Sequence, residues 1–277
     1  MGESWGVDHV EFRLDEYVRD TEEEPRDPYE VDYPDSVRRR LGDLERNHPW
    51  FVHRCRVVER LVRRLGRSDV IFDVGAGNGT VAAHLTRRGF HVVSVEPSGG
   101  GAARCREVGS SHVLQMDMER FAQSAQRIPV ICALDVIEHL ADDSAAVGLM
   151  SGCLADDGLL ILTVPAHARL WSSVDEHSGH YRRYSRADVR RLLESHGLEV
   201  RYLSHLFPAL YPFARWSRKR HIDDPEVAIL SELDQPAAVR WVLGGLFGVE
   251  RVALSMGAKF PFGTSIIAAA THSRPRR

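Results

Sequence analysis

One stretch constrains this chain more than any other: Val70-Ile71-Phe72-Asp73-Val74-Gly75-Ala76-Gly77-Asn78-Gly79-Thr80. An apolar run of strand type passes through an acid into three glycines at alternate positions, and Val81-Ala82-Ala83-His84-Leu85 then opens a helix. Glycines at such a turn let the backbone double back tightly and approach a ligand with no Cβ in the way. A second strand-like run, His91-Val92-Val93-Ser94-Val95, ends on Glu96. An acid at the tip of the second strand is placed to accept ribose hydroxyls, so strand, glycine turn, helix and acid together point to a nucleoside-containing cofactor.

The glycine spacing narrows the choice. A dinucleotide fingerprint would need its third glycine at position 80, where Thr80 stands, and a phosphate-cradling loop would need a Gly-Lys-Ser/Thr run that is absent here. Asp73-x-Gly75-x-Gly77-x-Gly79 instead resembles the first motif of class I S-adenosylmethionine (SAM) dependent methyltransferases. Four further matches follow in that family's order. They are Glu96-Pro97, Gln115-Met116-Asp117-Met118, Asp135-Val136-Ile137-Glu138-His139 after a fourth strand, and the Leu154–Pro165 turn and fifth strand.

The resemblance implies a Rossmann-like three-layer α/β/α fold with a mostly parallel seven-stranded sheet. Its last strand, Thr264–Ala270, would run antiparallel between the fifth and sixth. It also implies SAM held by Asp73, Gly75, Ala76, Gly77 and Asn78 around the methionine end, and by Glu96 and Pro97 at the ribose. Asp117 and Met118 would lie at the adenine, with Asp135, Val136 and Arg54 nearby. Trp50 and Phe51 would face the cofactor, where an aromatic wall suits a sulfonium cation.

Alternating strand and helix patterns from Val70 to Val164 independently argue for a parallel sheet covered on both faces. Helices are expected over Thr80–Arg88, Gly100–Val108, Asp143–Cys153 and Arg186–His196, with another opening at His48 and closed by Gly66. The chain divides into an acidic N-terminal segment at 1–48, a cofactor core at 49–204, a helical insertion or substrate cap at 205–262, and a last strand and tail at 263–277.

Charge is uneven along the chain. Residues 1–36 hold 13 acids and 3 arginines, leaving 26 acids against 33 bases elsewhere, for a net charge of −3. That segment reads either as a solvated tail or as a lid, because Trp5, Phe12, Leu14, Tyr17 and Val18 are interleaved with the acids. The slightly acidic balance and the lack of a basic domain disfavour nucleic acid as a partner. The insertion's Val239–Met256 run is apolar, but Arg240, Glu250, Arg251 and three glycines interrupt it. It suits a core-packing or substrate-capping helix better than a membrane-surface or homodimer contact, and a membrane span least of all. The four cysteines lack metal or redox spacing and read as reduced thiols of a cytoplasmic protein.

The acceptor side is expected in Trp171–Tyr184, a polar loop after the fifth strand. Trp171, Tyr181, Arg182, Arg183 and Tyr184 are its candidate substrate contacts, the arginines being suited to an anionic group. The His180-x-Arg182-x-Tyr184-Ser185 pattern is similar to one that lies near the active site in the family. His180, His177 and His139 are the candidate general bases, since imidazole titrates near neutral pH. His177-x-x-His180 beside Asp175 and Glu176 has the composition of a metal site, but Gly179 interrupts the helical turn such spacing needs, and no metal is expected. The function expected is methyl transfer from SAM to O or N of a small-molecule acceptor. A nucleic-acid or protein methyltransferase and an NAD-type oxidoreductase are the alternatives.

Overall fold

The structure, a computed structural model, describes residues 13–18, 35–110, 112–217, 223, 224, 227 and 235–273. Trp5, Phe12 and the basic Arg218-Lys219-Arg220 lie outside the described residues. Seven strands form one sheet in the order β3-β2-β1-β4-β5-β7-β6. They are β1 (Val70–Val74), β2 (His91–Val95), β3 (His112–Leu114), β4 (Ile128–Leu134), β5 (Leu154–Pro165), β6 (Leu198–Leu206) and β7 (Ser265–His272). Strands β1 to β5 pair in parallel, and β7 is antiparallel to both β5 and β6. The last strand therefore sits where the resemblance puts it.

The period-2 geometry of a strand explains the continuous apolar runs. Successive side chains feed opposite faces, and both faces are covered. Ile71, Val92, Val130, Cys132, Leu159 and Ile161 enter one core, while Phe72, Val93, Ile131, Leu160 and Leu162 enter the other. The first core is closed by α2 (Pro49–Leu65) and α3 (Thr80–Thr86), the second by α5 (Met118–Ser124), α6 (Asp143–Cys153) and α8 (Arg186–Ser195). A further helix, α4 (Gly99–Glu107), follows β2. The strand order reverses between β1 and β4, and such a switch point opens a crevice outside the carboxyl ends of the strands.

Helix α2 ends at Gly66 for a different reason from a left-handed cap. Its φ of −71° is open to any residue, but a Cβ there would stand 2.7 Å from the Val62 carbonyl oxygen.

The acidic N-terminal segment splits in two. Val18 bridges Ala125, and the Tyr17 ring meets Phe72 at 5.8 Å, so residues 13–18 pack beside the end of α5 ahead of β4. Helix α1 (Asp35–Asn47) instead reaches the glycine turn. Glu45 accepts from Asn78 Nδ2 at 2.9 Å and from Thr80 Oγ1 at 2.7 Å.

The insertion contributes α9 (Tyr211–Ser217) and a 19-residue α10 (Ala237–Ser255). Leu243, Phe247, Glu250 and Leu254 recur at helical spacing and are buried, with α10 packed against α2. Glu250 Oε1 accepts the Phe207 N–H at 2.9 Å and lies 3.2 Å from His53 Nε2. This arrangement pins the insertion to α2 and to the left-handed backbone of Phe207, whose φ is 59°. No helix among the described residues is long and apolar enough to cross a membrane.

Candidate functional site at the carboxyl edge of the sheet

The glycine turn leaves β1 at the switch point. Gly75 and Gly77 hold φ values of 73° and 56°, where an L side chain is strained. Gly75 also has no room for one, since a Cβ would lie 2.6 Å from Val136 Cγ2. A Cβ on Gly77 would meet nothing within 4 Å, so that face of the turn is open space against bare backbone. Gly75 and Ala76 donate their N–H groups to the Val95 carbonyl at 2.8 and 3.2 Å. Glu96 completes the clamp. Its Oε2 accepts from Gly77 N at 2.7 Å and its Oε1 from Ser98 N at 3.2 Å. The acid at the tip of β2 thus fixes the turn while its carboxylate remains at the edge of the crevice.

Asp73 lies beneath the turn and is 2% exposed. It accepts the Ala82 N–H in the first turn of α3, and its Oδ2 has no hydrogen-bond partner. Burial pushes its carboxyl up to about 7, a rise that the nearby Arg54 cation only partly offsets.

Arg54 comes from the buried face of α2 and pairs with Asp135, whose backbone is left-handed at φ 57°. The Arg54 guanidinium also sits 4.6 Å from the Trp50 ring and 5.1 Å from that of Phe51. The protein's own cation takes those aromatic faces, and Trp50 further stacks on Phe207 at 5.0 Å. Asp117 is the N-cap of α5 and accepts from Arg120 N at 2.8 Å, with half-buried Met118 following and Pro97 half-buried after β2.

The loops after β4 and β5 converge beside this crevice. The β4 loop supplies a 3-10 turn, Ile137–His139, and the β5 loop supplies a short helix, α7 (Ser173–His177). Tyr181 N–H donates to the Glu138 carbonyl at 2.8 Å, tying one loop to the other. His139 and His180 meet edge to face at 4.6 Å between ring centroids. Buried Asp175 organises this corner: its Oδ1 accepts from His180 Nδ1 at 2.9 Å and from Arg183 Nε at 2.7 Å. Loss of solvation, with the neighbouring His180 adding to it, pushes His139 down to about 4, so it is neutral at pH 7. Burial and the neighbouring Asp135 carboxylate push Glu138 well above the usual range.

Of the sequence candidates, His139 and His180 are brought together, and His177 is the last residue of α7. Both arginines are engaged by the protein itself. Arg182 donates to the Ala141 carbonyl at 2.6 Å and pairs with Asp143 at 3.0 Å, while Arg183 holds Asp175 and the Ala166 carbonyl. Tyr184 is buried, with its hydroxyl on Asp143 at 2.7 Å, and Tyr181 is exposed. Trp171, at the edge of the loop, donates from Nε1 to Glu176 at 3.1 Å.

Sequence reasoning did not single out a second histidine pair. His167, left-handed at φ 60°, stacks on His205 at 4.9 Å, with the Tyr211 ring 5.2 Å away. These residues come from the carboxyl ends of β5 and β6 and from the start of α9. Only the resulting strand order joins them, so no local motif could have marked them.

A family model described as a methyltransferase domain matches residues 47–203. The ubiquinone biosynthesis O-methyltransferase of Bradyrhizobium sp. (strain ORS 278) is 26% identical over 115 residues, covering 39% of this chain and 46% of that protein. The chain spans about half the length of the curated relatives it matches. Among solved structures, the complex of the Haloferax volcanii Trm112 methyltransferase activator with its methyltransferase aligns at a TM-score of 0.57 and 15% identity, over 91% of this chain and 100% of that one. Magnesium protoporphyrin IX methyltransferase from Synechocystis PCC 6803 with bound S-adenosylhomocysteine aligns at 0.50 and 15% identity, over 88% and 89%. At such identities these likenesses show a shared fold.

Proposed function

The chain belongs to the methyltransferase domain family, and from that premise we propose that it transfers the methyl group of SAM to a hydroxyl oxygen of a small-molecule acceptor. The observation that carries this reading is the bare backbone over Gly77, clamped by Glu96 at the switch point, with His139 and His180 converging on the neighbouring strand ends. The turn takes the methionine end of SAM above Asp73. Glu96 faces the ribose and Asp117 the adenine. Residues 49–204 act as the cofactor core, and the 205–262 insertion caps the acceptor side through Tyr211 beside His167. A hydroxyl acceptor is favoured over an amine by the O-methylation named for the curated relatives.

The reaction is an in-line displacement. The acceptor oxygen bonds to the methyl carbon as the carbon–sulfur bond breaks, S-adenosylhomocysteine leaves, and the hydroxyl proton passes to solvent beside the histidine corner. Calorimetry with SAM tests the cofactor half of this reading. Glu96→Ala removes charge-assisted acceptors for two hydroxyls, each bond contributing about 1.5–3 kcal/mol, and should weaken SAM at least tenfold. An unchanged dissociation constant would reject the assignment. Transfer of labelled methyl to amines but not to phenolic or alcoholic hydroxyls would reject the acceptor class.

A further inference from the structure

The histidine corner contains a donor set that general-base catalysis leaves unexplained. One ligand atom from each of Glu138, His139 and His180 lies within 4.8 Å of the others. The pair weighed in the sequence, His177 and His180, shares a loop. The residues that actually face His180 come from the β4 loop, 41 positions earlier for His139, and only the fold brings them there.

Three features of this corner are those of a coordination site. Glu138 is 0% exposed, and neither of its carboxylate oxygens has a hydrogen-bond partner, an arrangement that costs free energy unless something completes it. His180 is held from behind, since Asp175 accepts from its Nδ1 and leaves Nε2 as the free donor atom. The His139 ring lies against the Ser178 backbone and meets the His180 ring edge to face. A carboxylate behind an imidazole, as Asp175 stands behind His180, is the usual support of a metal-ligating histidine, fixing both tautomer and ring direction. Arg183 locks Asp175 in turn, and the Tyr181 N–H fixes the Glu138 main chain.

We propose that Glu138, His139 and His180 bind a divalent cation of the kind that accepts mixed nitrogen and oxygen ligands, and that this ion holds the acceptor hydroxyl for methylation. Two imidazoles and one carboxylate suit zinc, cobalt, manganese or ferrous iron better than calcium, and three protein ligands leave positions open for substrate. The proposal rests on the methyl-transfer reading for its role, though not for its geometry. The ion lowers the pKa of the bound hydroxyl, whose proton leaves to solvent. The oxygen then takes the methyl group from sulfur, and the neutral ether dissociates from the metal with S-adenosylhomocysteine as co-product. His180 thus acts on the acceptor through the ion rather than by taking its proton directly.

The test uses the full chain, stripped with chelator and titrated with Zn²⁺, Mn²⁺ or Co²⁺ in the absence of SAM and acceptor. The expected result is one tight site per chain, with cobalt giving the visible absorption bands of a histidine-ligated ion. Glu138→Gln and His139→Ala should each weaken that site by at least about 10²-fold, a loss at least as large as that typical of removing an outer-shell partner. SAM affinity reports whether each variant is folded, and Asp175→Asn, which leaves all three ligands in place, should weaken metal by a smaller factor. Equal metal affinity in wild type and in a folded His139→Ala variant would overturn the proposal, as would the absence of any site tighter than millimolar. Because metal binding is read without turnover, a metal site on a chain that transfers no methyl group would reject the methyl-transfer reading alone.

Discussion

Asp73→Asn probes the link between burial and cofactor binding most directly. Asp73 is held at about 7 against an ordinary 3.8, a difference of about 3 pH units. At 1.36 kcal/mol per unit that is about 4 kcal/mol by which the folded chain prefers the protonated form. The sign follows from linkage. The folded state binds the proton more tightly, so this group destabilises the fold progressively as pH rises from near 3.8 to near 7, and the loss stays constant above that. Asparagine keeps an acceptor for the Ala82 N–H and abolishes the titration, but it places an amide where Oδ2 has no partner, costing about 1–3 kcal/mol. The net gain expected at pH 8 without ligand is about 2 kcal/mol, or about 4–8 °C in Tm, falling to nothing or reversing near pH 5.

SAM should invert the ranking. With the methionine end of SAM placed above Asp73, as proposed, the positive charge of its amino group should favour the ionised carboxylate, so wild-type affinity should increase as pH rises towards 7, while the variant should bind at least tenfold more weakly with no such slope. Melting curves at pH 5, 6.5 and 8, with and without SAM, give both quantities. A variant that melts at or below wild type at pH 8, with the same pH slope, would refute the burial argument. Unaltered SAM affinity would refute the placement of the ammonium group.

Two further perturbations separate folding from binding. Gly77→Ala adds a Cβ that touches no protein atom but sits at φ 56°, so it should cost about 1–2 kcal/mol of stability while lowering SAM affinity at least tenfold, and calorimetry showing wild-type affinity would mean the open face is not the cofactor's. Glu250→Ala strands the buried Phe207 N–H and His53, so chemical denaturation should register a loss of about 2–4 kcal/mol; a loss under 0.5 would show that α10 is held by its apolar stripe alone.

How much of this was legible beforehand follows from the range of each interaction. The glycine turn, Asp73, Glu96 and the strand–helix alternation are local in sequence, and period and turn chemistry carried them through to the sheet with small shifts in helix ends. Helix Thr80–Arg88, for example, closes at Thr86. Two short helices escaped because side-chain caps, rather than an apolar period, mark them: α5 starts at the Asp117 cap, and α7 at the reciprocal bonds of Ser172 and Asp175. Asp117 itself was read as a cofactor contact, and only the structure shows the cap it also forms. The arginines of the β5 loop illustrate a deeper limit. Composition offered two cations to a substrate anion, whereas Asp175 and Asp143, placed by the fold, already hold them.

The histidine corner marks the boundary between the two kinds of information. His139 and His180 each stand out in the sequence as a titratable residue in a loop after a strand, yet a base and a metal ligand look identical there. What separates the two roles is what lies behind each ring and what the third donor lacks. Asp175 behind His180 bears on the first and the unpartnered carboxylate of Glu138 on the second, and the metal titration decides between the roles. Both are tertiary facts, each depending on the β4 and β5 loops meeting at the carboxyl edge. That meeting is itself fixed by the parallel pairing of β4 with β5, from Val130 opposite Leu159 to Leu134 opposite Thr163. The local pattern therefore determines where chemistry can occur, and the strand register determines which chemistry the assembled side chains can perform.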